Sequence, residues 1–169
     1  MNVLTQVSYP SVFWGLILAM FLGVILGLER NIAGKMAGMR TYALVSVGSA
    51  LFVIISRLVA VDYIGVSNFD PLRMASQVIV GIGFIGACLV FFKGNHPVGI
   101  TTATGIWVVS GIGIACGFGL YALATFVTGL TVFVFTIMWI IERDLMQVWS
   151  KKKGVEKSAE KIAEEHEEI

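Results

Sequence analysis

Long apolar runs separated by short charged stretches set the pattern of this chain. The runs lie at about Val12–Leu28, Thr41–Ala60, Met74–Phe92, Thr101–Cys116 and Tyr121–Ile141. Each is close to the roughly 20 residues that carry an α-helix across hydrocarbon, the fourth being the shortest. A bilayer core offers no water to an unpaired peptide group, so each run predicts a helix that bonds its own backbone. The expectation is an all-α fold, a polytopic membrane bundle of five transmembrane helices within residues 1–141. A charged cytoplasmic helical tail follows at 142–169. No basic residue precedes the first run, and Gly27-Leu28-Glu29 is a poor cleavage context, so it reads as a permanent span rather than a signal peptide.

Charge orients the bundle. Arg30, Lys35 and Arg40 fall in the first connection, Lys93 in the third, and Arg143 with Lys151-Lys152-Lys153 after the fifth run. Basic residues favour the cytoplasm, which puts the N-terminus outside and the C-terminus inside. Interfacial aromatics agree: Tyr9, Trp14, Tyr63 and Tyr121 belong to the outer side, Tyr42 and Trp139 to the inner. The chain is 57% hydrophobic and 14% charged, too apolar for an ordinary soluble domain. Its sparsely charged body argues for the lipid bilayer as environment and against nucleic acid as a partner.

Small residues predict how the helices meet. Gly15, Ala19, Gly23 and Gly27 recur every four residues along the first helix, and Gly105, Gly113 and Gly117 form a looser stripe on the fourth. Such stripes let backbones approach closely in lipid. Packing within one subunit is the first reading and a homodimer face the second. Gly81-Ile82-Gly83-Phe84-Ile85-Gly86 matches a GxGxxG pattern, but it sits mid-span with no acidic residue between 87 and 109. The dinucleotide reading is therefore rejected. A close-packed helix face is preferred there, with local unwinding as the alternative. Cys88 and Cys116 fall near opposite ends of their spans, roughly 20 Å apart in depth, which predicts two free thiols.

Few residues could carry chemistry. Asp70 and Pro71 suit the N-cap and first position of the third helix. Arg73 and Gln77 follow on one face, and Gln77 needs a polar partner inside the membrane. Thr101 and Thr102 resemble an N-cap for the fourth helix, and Trp107 lies mid-span, away from the usual aromatic belt. Glu29 is the one acid at the inner interface ahead of the tail. An ion pair with Arg30, Lys35 or Arg40 is its structural use, and a polar cleft facing a cation is the functional one. His96 and His166 have no cysteine or carboxylate at ligand spacing, and no nucleophile motif is present. No enzyme, cofactor or metal site is expected.

Gly27-Leu28-Glu29-Arg30, Ala37-Gly38-Met39-Arg40-Thr41, Asp70-Pro71-Leu72-Arg73 with Gln77, Gly81–Ala87, and Gly99-Ile100-Thr101-Thr102-Ala103 with Trp107 together resemble the MgtC/SapB membrane family over most of residues 15–125. The resemblance implies a bacterial or archaeal inner-membrane protein of five helices associated with magnesium limitation. It carries Glu29, Arg30, Arg40, Thr41, Asp70, Arg73, Gln77, Thr101, Thr102 and Trp107 over as functional candidates. Asn31 departs from the family, where an acid is common. Longer members append a soluble ACT-like domain, for which this chain has no room. In its place, Ile141, Leu145, Val148 and Trp149 suggest a helix continuing along the membrane surface, with Lys151-Lys152-Lys153 facing anionic headgroups. Two functions are open: a non-enzymatic modulator of Mg²⁺-linked ion homeostasis acting on another membrane protein, or a small-ion or small-solute transporter using Glu29, Arg40, Arg73 and Gln77. Scarce carboxylates favour the first, since Mg²⁺ prefers oxygen ligands of that kind.

Overall fold

The structure is a computed structural model that describes residues 9–62, 70 and 72–141. The expected tail at 142–169, Tyr63 and Pro71 lie outside the described residues. Helices α1 (Tyr9–Ile32), α2 (Met39–Asp62), α3 (Leu72–Leu89) and α4 (Ile100–Gly117) follow one another, then α5 (Tyr121–Ile141). All five are long and apolar enough to cross a membrane. The all-α expectation stands with one small addition. Between α3 and α4, β1 (Phe91–Lys93) pairs antiparallel with β2 (His96–Val98), Lys93 opposite His96. Gly94 opens the two-residue turn at φ 63° while Asn95 keeps a negative φ, the type II′ geometry that suits a tight hairpin.

The helix ends follow from local chemistry. At the end of α1, Gly34 takes φ 66°, Lys35 N–H donates to Arg30 O at 2.9 Å and Gly34 N–H to Asn31 O at 3.1 Å. This is a Schellman ending, in which a left-handed glycine returns two donors to orphan carbonyls. Gly119 does the same for α4, with Leu120 N–H on Ala115 O and Gly119 N–H on Cys116 O. Asp70 caps α3 as expected, its Oδ1 accepting from Leu72 N–H at 2.9 Å. The cap expected from Thr101 or Thr102 is not there. Gly99 occupies that position at φ 95° without a side-chain cap bond, because the chain leaves the hairpin in a conformation only glycine adopts cheaply.

α1, α2 and α4 form the tight centre. A Cβ at Gly23 would stand 2.8 Å from Ala43 Cα, one at Gly27 would collide with Met39, one at Gly113 with Ser46 O, and one at Gly117 would stand 2.8 Å from Ala50 O. The order of these meetings makes α1 antiparallel to α2, and α2 parallel to α4, as a protein crossing alternately must. Gly15 meets Cys116 O, so the α1 stripe is spent within one subunit, the first of the two readings above. Leu22, Leu26, Tyr42, Ile106, Val109 and Ile112 fill the core between these helices, while Phe21, Phe84, Phe126 and Phe133 are exposed. Large apolar side chains outside and small ones at the contacts are what lipid-immersed packing requires.

α3 is seated differently. It runs unbroken through Gly81, Gly83 and Gly86, so the unwinding alternative is excluded. Close packing is corrected as well: a Cβ at Gly86 would meet Ala103 Cβ at 3.7 Å, but Gly81 and Gly83 meet nothing within 4 Å. Ala75 and Ile82 are its buried residues. Cys88 is exposed, Cys116 is buried, and both thiols are free. Residues 133–141, the last described turns of α5, belong to a second compact unit and are helical and mostly exposed.

Gly117→Ala is expected to lower stability by about 2 kcal/mol, since it forces a methyl onto the α2 backbone. Gly111→Ala meets open space and gains helix propensity, so it should raise stability by about 0.5 kcal/mol. Thermal unfolding in detergent followed by circular dichroism separates the two, and equal shifts would contradict the packing described.

Candidate functional site

The candidate residues divide by depth. At the inner end, α1 stops one turn beyond Glu29 and Arg30. Arg30 is only 2% exposed, and its Nε donates to Glu29 Oε2, Glu29 keeping 17% of its side chain in solvent. Adjacent helical residues do not face each other, so the pair forms with Arg30 directed into the bundle and the Glu29 carboxylate reaching round to it. Burial of a guanidinium is costly unless its charge is met, and Glu29 meets it. Both charges act on the phenol of Tyr42, a fully buried residue of α2. Tyr42 in turn donates through its hydroxyl to Thr102 O at 3.4 Å, joining α2 to α4. Thus Glu29, Arg30 and Thr102 share one neighbourhood, organised by a tyrosine that sequence reasoning had assigned to the aromatic belt.

The other inner candidates stay outside it. Arg40 is exposed and Thr41 half-buried at the start of α2, and Thr101 is exposed. The glycines of the first connection do not fold Arg40 onto the bundle. Gly38 instead makes room for Asn31, whose Oδ1 occupies the space a Cβ there would need.

From Tyr42 outward, a polar seam follows the α2–α4 contact. Ser49 Oγ donates to Ser110 Oγ at 3.1 Å, and Arg57 Nη1 donates to Gly117 O at 2.7 Å, closing the C-terminal end of α4. Ser46 lies between Tyr42 and Ser49, fully buried, its Oγ without a partner among the described residues. Tyr42, Ser46, Ser49 and Ser56 recur at four, seven and fourteen residues, one face of one helix. That period was available in the sequence. It went unread because isolated serines carry little weight in hydropathy.

At the outer end, Asp70, Arg73 and Gln77 are all exposed. Ser76 Oγ donates to Arg73 O at 2.8 Å. Gln77 lines a groove of about 540 Å³ between α2 and α3, apolar apart from it and Ser49, with Gly48, Phe52, Gly81 and Ile85. Neither Glu29 nor Arg73 is part of that lining. Trp107 is 56% exposed and borders a second groove of about 330 Å³ with Ile79, Gly111, Ala115 and Leu123. Among the described residues no three His, Cys, Asp or Glu side chains come together. The arrangement offers one neutralised ion pair, a line of hydroxyls and carbonyls inside, and an acid, a base and an amide facing outward on α3.

A sequence profile of the MgtC family matches residues 16–144. YhiD of Escherichia coli (strain K12), which carries a provisional magnesium-transporter name, is 40% identical over 127 residues, covering 72% of this chain and 58% of its own length. MgtC of Brucella abortus (strain 2308) is 38% identical over 130 residues, covering 77% of this chain and 50% of its own. MgtC of Salmonella typhimurium (strain 14028s / SGSC 2262) is 39% identical over 114 residues, covering 68% and 46%. The chain therefore spans about half the length of these curated relatives. No solved structure matches it.

Glu29→Gln leaves the Arg30 charge buried without its carboxylate and is expected to cost about 2 kcal/mol, less than for a fully buried pair because Glu29 touches water. Ser49→Ala should cost about 1 kcal/mol. Adding Arg30→Met to Glu29→Gln should recover most of the loss, since it removes the uncompensated charge. A thermal-unfolding double-mutant cycle measures all three, and additive losses would refute the pairing.

Proposed function

The chain belongs to the MgtC family, and from that premise we propose that this multi-pass inner-membrane protein is a non-enzymatic modulator of Mg²⁺-linked ion homeostasis, acting through contacts with other membrane proteins rather than by conducting an ion. The magnesium link is suggested by the name carried by YhiD. The observation that carries the reading is the use made of Glu29. It is the acid at the inner end of the bundle, and its carboxylate is engaged by the buried guanidinium of Arg30. Mg²⁺ dehydrates reluctantly and is held through carboxylates, carbonyls and retained water. A carboxylate already neutralised by an arginine is a poor ligand for it, because a dication approaching Glu29 also approaches the Arg30 charge.

The remaining polar groups support the same view. Tyr42 and Thr102, Ser49 and Ser110, and Arg57 and Gly117 are spent on joining α2 to α4. A pathway would leave such groups facing water, whereas these act as internal ties. On this reading Glu29, Arg30 and Thr102 keep the inner end of the bundle shut, and the exposed Arg40, Asp70, Arg73 and Gln77 are available to partners. The transport reading draws on one feature, the groove beside Gln77 and Ser49. That groove lies between α2 and α3 and is apolar apart from those two residues, which suits an ion path poorly.

Reconstituted into proteoliposomes with a Mg²⁺-sensitive dye inside, the protein is expected to give no flux above protein-free vesicles. In cells, Glu29→Gln is expected to change growth at limiting Mg²⁺ through loss of the closed inner end. Mg²⁺ uptake by the wild type that Glu29→Gln abolishes would establish transport instead.

A further inference from the structure

The outward face of α3 is more ordered in its chemistry than a lipid-facing surface needs to be. At about 100° per residue, Asp70, Arg73, Gln77, Gly81, Phe84 and Cys88 fall within roughly 80° of one another. The face turns away from Ala75 and Ile82, which seat the helix on the bundle. All six residues are exposed, Phe84 at 76%. Their spacing of three and four is the spacing at which two helices interlock along a seam.

Gln77 sets the requirement. It lies about 7.5 Å inside the outer end of α3, five residues at 1.5 Å each, where an amide facing lipid is unfavourable. Among the described residues its amide has no hydrogen-bond partner. Acyl chains filling the adjoining groove would leave it unsatisfied. The occupant must therefore bring a donor and an acceptor to this depth, and must tolerate close approach at Gly81, where the space is open.

We propose that this face of α3 is the interface for a second copy of the same chain. A carboxamide is its own complement, with two donors and an acceptor on each side. Two copies inserted by the same charge rule share one orientation, so their two-fold axis lies along the membrane normal and the two α3 helices run parallel. Gln77 then meets Gln77 of the second copy at equal depth. One turn above, Arg73 stands within reach of Asp70 of the second copy, which offsets the repulsion between the two arginines. Below, Gly81 lets the backbones close and Phe84 packs across the seam. The α1 stripe, buried inside one subunit, is not available for such a contact. The dimer goes beyond the modulator reading, which does not require it.

Cys88 supplies the test, since it is exposed on the same face while Cys116 is buried. Helices in contact lie about 8–10 Å apart, so a short-spacer bis-maleimide added to membranes holding the full chain should give a covalent dimer. Cys88→Ser should abolish it and Cys116→Ser should leave it unchanged. In proteoliposomes the yield should stay constant on tenfold lipid dilution. Gln77→Leu should lower it about fivefold or more, Gln77→Asn should restore most of it, and Gly81→Leu should abolish it, with melting temperatures unaltered. A yield that falls in proportion to dilution overturns the proposal, as does an undiminished yield in Gln77→Leu, a monomer carrying only lipid at this face, or crosslinking solely to a different polypeptide.

Discussion

Backbone contact between α1, α2 and α4 is the constraint on which the rest of this structure depends. In lipid the exterior is as apolar as the interior, so helices gain little by hiding large side chains from it. They gain from proximity, through dispersion and the alignment of backbone groups. Gly23 and Gly27 admit the backbone of α2, and Gly113 and Gly117 admit it from the other side. Only at that distance can Tyr42 reach Thr102 O and Ser49 reach Ser110. The polar seam is thus a consequence of the glycines, with short serines where the backbones are closest and Tyr42 and Arg57 toward its two ends.

The same closeness explains where charge is tolerated. Arg30 enters the bundle at the last turn of α1, where the Schellman ending turns the chain away and leaves room for a guanidinium beside Tyr42. A buried arginine gives little net stability, because desolvation offsets most of the attraction. Glu29 fixes the direction of the guanidinium at the inner end of α1. Arg57 serves the outer end of the same seam by occupying a carbonyl of α4.

α3 escapes this regime. It touches its neighbours through Ala75, Ile82 and Gly86 and leaves its polar and glycine-rich face outward. Tight packing and an open face therefore sit in one molecule, divided by helix. An acid, a base and an amide lie exposed at intervals of three and four residues along the open helix and its cap.

Much of this was legible from residues alone. Five apolar runs, the basic connections and the aromatic positions determine five crossings and their orientation, because the bilayer imposes the same two demands on any chain: cover the backbone and keep the excess of positive charge on the cytoplasmic side. Asp70 was readable as a cap, since a cap is a local event, and so was the pairing of Glu29 with a neighbouring arginine. Which base turns inward was not readable, because Arg30, Lys35 and Arg40 lie in one short connection and the end of α1 sets the direction of each. Nor could the glycines of α1 be told from those of α3, as both are small residues at helical spacing. Tertiary structure decided that one set faces a backbone and the other faces open space. It also decided that the hydroxyls of Tyr42 and Ser49 on α2 meet Thr102 O and Ser110 on α4, for a serine declares its partner only when another helix has come within about 3 Å of it.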